Sequence, residues 1–283
     1  MLLRKIFVNL KRFDIGTAYG GVNRVEDLFT WGTKIVEAVQ PELVALKANH
    51  DVEFTVYFPE AHLIPALSAL TDHAPLAIGC QSVYREDTAI GGNFGAFTTH
   101  RTANSMQQLG VKSAIIGHLE ERLDKQGIMQ GLGVNQPVYI NQLFNQETKK
   151  AQAAGLEVLY CIGETAEERA EGRWQEVLSE QLKYGLKDVD LSRVVIAYEP
   201  VWAIGVGKQP PSKAEVIEVV QYIKMEVPGI EVIYGGGLKS SNAQELASIE
   251  SLDGALIALT RFEGEIGFYP EEFIEISRLF LES

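Results

Sequence analysis

Cysteine is scarce in this chain. Cys80 and Cys161 are the only two in 283 residues, and both fall in short apolar runs. That pattern argues against a disulfide framework and leads to the expectation of a reducing, cytoplasmic setting. Positive charge is also in deficit, with 25 Lys and Arg against 38 Asp and Glu and a net charge of −13. Such a balance argues against a nucleic-acid partner, which needs a basic face. It leaves room for a locally positive site that takes a small anion. No apolar run approaches the roughly 18 residues of a membrane span, so no membrane partner is expected. The opening Met1-Leu2-Leu3-Arg4-Lys5 lacks the long apolar core and cleavage site of a secretory signal.

Several motifs are missing as well. No Gly-x-Gly-x-x-Gly follows the first apolar run, which disfavours a dinucleotide fold. Gly205-Val206-Gly207-Lys208-Gln209 has no Ser or Thr after the lysine, and Gly235-Gly236-Gly237-Leu238-Lys239-Ser240 lacks the glycine spacing of a phosphate-binding loop. No His, Cys and Asp cluster has metal-ligand spacing, so neither metal nor cofactor is expected. Without a repeat, linker or low-complexity tract, residues 1–283 read as one domain.

What is present is a large apolar fraction, 46% of the residues, enough for a substantial core. Short continuous apolar runs occur at Ile6–Val8, Val52–Phe58, Leu76–Cys80, Ala114–Gly117, Val158–Cys161, Val194–Tyr198, Val232–Tyr234 and Ala255–Ile257. Between them lie helical patterns, expected over 26–49, 60–71, 102–109, 142–154, 166–186, 212–225, 242–249 and 270–281. In the first of these Leu28, Phe29, Ile35, Val36 and Val39 recur at helical spacing. Strands buried on both faces and alternating with helices indicate a parallel sheet. Eight such units in this length fit a closed (β/α)8 barrel of the α/β class, with an open doubly wound sheet as the alternative.

In a barrel, chemistry collects at the C-terminal ends of the strands. Those ends carry Asn9 and Lys11, Gln81, His118, Cys161 to Glu164, Glu199, and Gly235 to Gly237. Alone, Lys11 is an ordinary surface lysine, His118 an ordinary buried histidine, and Glu164 a structural neighbour of the site. Their convergence on one face is what carries weight. The densest stretch runs from Ala197 to Lys208. A buried strand delivers Glu199, Pro200 stops it, and Val201-Trp202-Ala203-Ile204 sits between that proline and Gly205 and Gly207. A segment pinned in this way can move as a lid. A carboxylate at its root loses water on closure, and desolvation makes a carboxylate more basic. The chemistry that fits is proton transfer beside a carbonyl, with Glu199 as base, His118 as neutral hydrogen-bond donor and Lys11 as charge stabiliser. Exposed amides of the glycine-rich ends would cradle a phosphate.

These residues resemble the triosephosphate isomerase family. The resemblance runs from Phe7 to about Phe273 and rests on Tyr198-Glu199-Pro200-Val201-Trp202-Ala203-Ile204-Gly205, Ile115-Ile116-Gly117-His118 with Glu120, Cys161-Ile162-Gly163-Glu164, Tyr234-Gly235-Gly236 and Gly95-Ala96-Phe97-Thr98. That family is itself the standard illustration of a Glu base opposite a neutral imidazole. The resemblance implies that Glu199 is the base, His118 the electrophile, and Asn9 and Lys11 substrate-binding residues. It places phosphate contacts at Gly205, Gly207, Gly236, Gly237, Ala258 and Leu259. Thr98 would reach into a partner subunit's site, which implies a cytoplasmic homodimer acting in glycolysis and gluconeogenesis.

Departures from the family pattern mark where this chain differs. Leu10 replaces a tryptophan between Asn9 and Lys11. Leu119 replaces the serine after the histidine, so the base would lose a hydroxyl partner in the open state. Glu121 replaces a basic residue and His100 an acidic one, a swap consistent with an exchanged charge pair at a dimer interface. Gly237 replaces a serine, and Ala258-Leu259 replace the Gly-Gly whose amides hold phosphate. The longer Thr260–Glu265 segment offers Arg261 as a replacement charge. Three functions are compatible with this: interconversion of dihydroxyacetone phosphate and glyceraldehyde 3-phosphate, the same proton transfer on another short sugar phosphate such as a tetrulose phosphate, and a non-catalytic metabolite-binding barrel.

Overall fold

Eight short apolar runs pair edge to edge, each parallel to the next, and the last returns to the first. In the computed structural model these are β1 (Arg4–Asn9), β2 (Val52–Phe58), β3 (Leu76–Gln81), β4 (Ser113–Ile116), β5 (Glu157–Ile162), β6 (Val194–Tyr198), β7 (Glu231–Tyr234) and β8 (Gly254–Ile257), in a closed barrel with that order. The structure describes residues 3–23, 25–134, 136–205 and 207–282. Met1 and Leu2 of the N-terminal reading and Val206 of the expected lid lie outside the described residues, as do Arg24, Asn135 and Ser283. β1 closes the ring, with Lys5 opposite Gly254 and Val8 opposite Ile257. Gly254 is a requirement of that closure, since a Cβ there would lie 1.8 Å from the Lys5 carbonyl oxygen. The fold is therefore the (β/α)8 barrel expected from the eight runs.

Strand alternation divides the core into two layers. Phe7, Tyr57, Ile115, Leu159, Cys161, Val195, Ala197, Ile233 and Leu256 fill the barrel interior. Their neighbours in sequence, such as Ile6 and Val8 on β1, point outward and pack with the helices. The two cysteines fall in different layers, Cys161 inside and Cys80 outside, and both are free thiols. Polar contacts on the interior face include that of Lys5, at the start of β1, with Glu231 at 2.5 Å, and that of Tyr57 with Ser113, oxygen to oxygen at 2.8 Å. The second satisfies two hydroxyls that burial would otherwise penalise.

The outer layer departs from the sequence expectations in instructive places. Helix α1 spans Trp31–Asn49 and begins later than residue 26. Asp27 folds the preceding segment into a turn, accepting from the Phe29 amide at 2.9 Å and the Thr30 hydroxyl at 2.9 Å. Leu28 and Phe29 consequently face solvent instead of the core. The segment 60–71 resolves into a 3-10 turn and a short α2 (Leu63–Ser68), and α3 covers Ala103–Leu109. The charged stretch after β4, given no helix by its pattern, is α4 (Leu119–Gly131), followed by α5 (Pro137–Ala153). The long helix expected over 166–186 is two, α6 (Ala166–Ala170) and α7 (Trp174–Gly185), divided at Gly172, whose φ is +73°. Helices α8 (Lys213–Glu226), α9 (Ala243–Ala247) and α10 (Pro270–Leu281) complete the layer. Among the described residues, no helix is long and apolar enough to cross a membrane.

Candidate active site

The strand ends converge on one mouth of the barrel. Asn9 ends β1, and two residues on Lys11 takes a left-handed backbone, φ 44°. Two bonds hold it there: the Lys11 amide donates to the Asn9 side-chain oxygen at 3.0 Å, and the Gln81 side-chain amide donates to the Lys11 carbonyl at 2.9 Å. The Gln81 amide lies 3.2 Å from the same Asn9 oxygen, so β1 and β3 together fix the lysine. Its ammonium is 2.7 Å from a Glu120 carboxylate oxygen.

His118 caps the N-terminus of α4 and is buried, as is Glu199 at the end of β6. Their side chains meet: His118 Nε2 lies 3.0 Å from Glu199 Oε1. The other carboxylate oxygen of Glu199 accepts from the Leu119 backbone amide at 3.2 Å. The expected loss of the base's partner is thus corrected. Leucine has no hydroxyl to offer, but its amide, free at the start of a helix, fills the position.

The Nδ1 side of His118 faces two groups. The Glu120 amide lies 3.4 Å from it, and the Glu120 carboxylate is in contact with it. Burial alone would depress the imidazole, but the Glu199 charge, with hydrogen bonds to Glu120 and Glu199, outweighs burial and carries the pKa up to about 9. That shift favours the charged ring in the unliganded site, whereas the sequence leads to the expectation of a neutral donor during the reaction. Glu120 is held well below the usual carboxylate range: burial raises it, but His118 and Lys11 lower it by more.

Around this pair lies a cavity of about 410 Å³. Asn9, Lys11, Gly205, Gly207, Gly236, Gly237, Ala258 and Leu259 all line it with His118 and Glu199, so it gathers the expected substrate contacts. Among the described residues, the amides of Gly236, Gly237, Ala258 and Leu259 donate to no protein acceptor. Glycine at 236 lets the β7 end approach the root of the lid, since a Cβ there would lie 2.4 Å from the Tyr234 hydroxyl and 2.7 Å from Pro200. Thr98 lies exposed on its long loop and does not line its own chain's cavity. Glu121 is engaged inside its own chain, accepting from Ser82 at 2.7 Å and the Gly117 amide at 2.9 Å. His100 stacks on Tyr84, with ring centres 3.9 Å apart.

Arg261 does not supply the replacement charge. It is ion-paired with Glu272, lies over the Tyr269 ring at 3.9 Å, and is absent from the cavity wall. The loop after β8 doubles back on itself, with the Thr260 and Arg261 amides both donating to the Gly267 carbonyl at 3.0 and 3.1 Å. The cavity residues to which sequence reasoning gave no role include Phe13, Lys208, Lys239, Phe262 and Glu263. Lys239 was visible two residues beyond Gly237, but only within a discarded nucleotide motif.

The lid segment is a short helical turn, Val201–Ala203, rooted by Pro200. Trp202 donates its indole N–H to Glu164 Oε1 at 2.9 Å. Tyr198 OH donates to the same oxygen at 3.0 Å, and Arg169 reaches it at 3.2 Å. Glu164 is fully buried and its other oxygen has no partner. It is a structural anchor beside the cavity, as expected. Gly163 lets β5 and β6 end side by side, since a Cβ there would sit 1.8 Å from the Glu199 carbonyl oxygen.

A closed parallel barrel with a carboxylate, an imidazole and a lysine at one mouth holds the groups that acid–base proton transfer needs, as in an isomerase. The triosephosphate isomerase family model matches residues 30–276. A triosephosphate isomerase from Prosthecochloris aestuarii is 34% identical over 255 residues, covering 86% of this chain and 91% of that protein. One from Leptospira interrogans is 33% identical over 218 residues, covering 72% of this chain and 79% of the relative. A crystal structure of triosephosphate isomerase from Bartonella henselae superposes with a TM-score of 0.72 at 25% identity, covering 98% of each chain. The chain belongs to the triosephosphate isomerase family, a family of aldose–ketose isomerases.

Proposed function

We propose that this protein interconverts dihydroxyacetone phosphate and glyceraldehyde 3-phosphate by proton transfer through an enediolate. The observation that carries the reading is the 3.0 Å contact between Glu199 Oε1 and His118 Nε2 at the wall of the cavity. A substrate entering between them meets a base on one side and an N–H on the other. Glu199 takes a proton from the carbon beside the carbonyl, and the C–H electrons become the C=C of the enediolate as the carbonyl electrons move to oxygen. His118 Nε2–H donates to that oxygen, and Lys11 stabilises its charge. Reprotonation at the neighbouring carbon completes the exchange. A positioned base contributes roughly 10²–10⁴ in rate, and an oriented donor to the oxyanion about 10²–10³.

The neutral imidazole needed for this step is available from the α4 terminus. When Glu199 turns to the substrate, the imidazolium loses its strongest partner. The Nδ1 proton passes to solvent as the Glu120 carboxylate stays with Lys11, and Nδ1 then accepts from the Glu120 amide, which keeps the remaining proton on Nε2. The amides of Gly236, Gly237, Ala258 and Leu259, with Gly205 and Gly207 of the lid, hold the phosphate. Thr98 contributes across a homodimer, and the enzyme works in the cytoplasm.

One observation favours a second substrate, a four-carbon sugar phosphate. Ala258, Leu259 and Phe262 put side chains on the cavity wall where backbone alone would leave the phosphate grip open. Steady-state assays on triose and tetrose phosphates decide between them. Triose turnover well above tetrose supports the first reading, and negligible triose turnover overturns it.

A further inference from the structure

One end of the cavity carries a cation to which the mechanism above gives no role. Lys239 lies beyond the β7 glycines, is half-buried, and lines the same cavity as Glu199 and His118. Its ammonium lies 5.7 Å from the centre of the Phe262 ring, within cation–π reach. Its backbone is tied down: the Lys239 amide donates to the Asn242 side-chain oxygen at 2.8 Å, and the Asn242 side-chain amide donates to the Gly237 carbonyl at 3.2 Å. The lysine therefore rises from a clamped turn, not a loose loop.

Its charge is available where those of Lys11 and Arg261 are not. Lys11 is ion-paired with Glu120 and Arg261 with Glu272, whereas among the described residues Lys239 has no carboxylate partner. A half-buried ammonium offset only by an aromatic face gains a counter-charge when an anion arrives. The loop after β8 sharpens the need for it. Its Thr260 and Arg261 amides both go to Gly267, which removes two donors from any phosphate at that end.

We propose that Lys239 is a substrate-binding residue that contacts the phosphate group directly, with Phe262 as the positioning residue that holds its ammonium toward the cavity. The proposal rests on the reading of the substrate as phosphorylated, and it adds a side-chain charge to a grip otherwise made of amides.

The test compares the wild type with Lys239→Met, Lys239→Arg and Phe262→Ala, using steady-state kinetics on phosphorylated ketoses and direct calorimetric binding of inorganic phosphate. Loss of a charge-assisted hydrogen bond predicts a rise in KM of roughly 10- to 100-fold for Lys239→Met, with kcat within about threefold. Phosphate affinity should weaken by a similar factor. Arginine should restore most of both, and Phe262→Ala should fall between. Unchanged KM and phosphate affinity in Lys239→Met would overturn the proposal, as would a loss confined to kcat or no phosphate binding by the wild type. If the wild type turns over no phosphorylated ketose yet binds phosphate through Lys239, the contact stands and the isomerase reading falls. If it turns them over and Lys239→Met behaves identically, the isomerase reading stands and the contact falls.

Discussion

His118 should remain protonated well above neutrality in the unliganded protein, and this can be measured directly. The imidazole is buried between two carboxylates, with Glu199 3.0 Å from Nε2 and Glu120 against Nδ1. A rise in its pKa from 6.5 to about 9 corresponds to about 3 kcal/mol of differential interaction between its two protonation states. The folded state binds this proton more tightly than the unfolded chain. The stabilisation is therefore complete below the unfolded value near 6.5 and is lost as pH rises through about 9. With ¹⁵N-labelled histidine, five imidazoles report: His50, His62, His73, His100 and His118. His62 is shifted the other way, pushed down by burial although Asp14 opposes it, so the two buried rings separate in a titration. One resonance should titrate near 9 and move toward the ordinary range in Glu199→Gln. Chemical denaturation from pH 6 to 10 should show a loss of stability about 3 kcal/mol smaller in His118→Gln than in the wild type. If all five histidines titrate below about 7 in the free protein, the proposed ion pair between His118 and Glu199 is refuted.

Glu199→Asp should lower kcat by roughly 10²-fold or more with a much smaller change in KM, because withdrawing the carboxylate by about 1 Å misplaces the base while the phosphate grip is intact. Equal losses in both parameters count against the base assignment. Gly163→Ala should cost stability by about 1–3 kcal/mol in denaturant unfolding and reduce turnover as well, since the new Cβ falls 1.8 Å from the Glu199 carbonyl oxygen. Full activity in that variant would mean the β5 and β6 ends yield without moving the base. Glu147 is pushed up to about 8 by burial and by the Glu121 charge beside it. A raised carboxyl pKa penalises the fold as pH climbs, a penalty absent below about 4.5 and complete above about 8. Glu147→Gln should accordingly be more stable than the wild type at pH 9 and not at pH 4, and a constant difference across that range contradicts the assignment.

The barrel was legible because its strands are buried on both faces, which makes Val, Ile, Leu, Ala, Phe and Tyr predominate along them. Glu199 and His118 were legible because each follows such a run at the point where the strand must stop. The outer layer was less so. Helix α4 buries no residue fully, so no apolar stripe announced it. The division at Gly172 and the Asp27 turn are local backbone events inside stretches whose apolar spacing continues through them. Leu119 was read by its side chain, whereas its contribution to the site is an amide that every residue carries. Arg261 and Lys239 show the limit most plainly. Both are cations on neighbouring loops, and only the position of Glu272 on α10 turns one away and leaves the other facing the cavity.

Three donors share one oxygen of Glu164, and only Trp202 among them sits on the segment expected to act as a lid. Were the tryptophan to move away, Tyr198 and Arg169 would still hold the buried anion, so no bare charge would be stranded in the protein interior. A swing of that segment would give up the indole bond and the Arg169 guanidinium 5.5 Å above the Trp202 ring, while the anchor keeps two of its three donors.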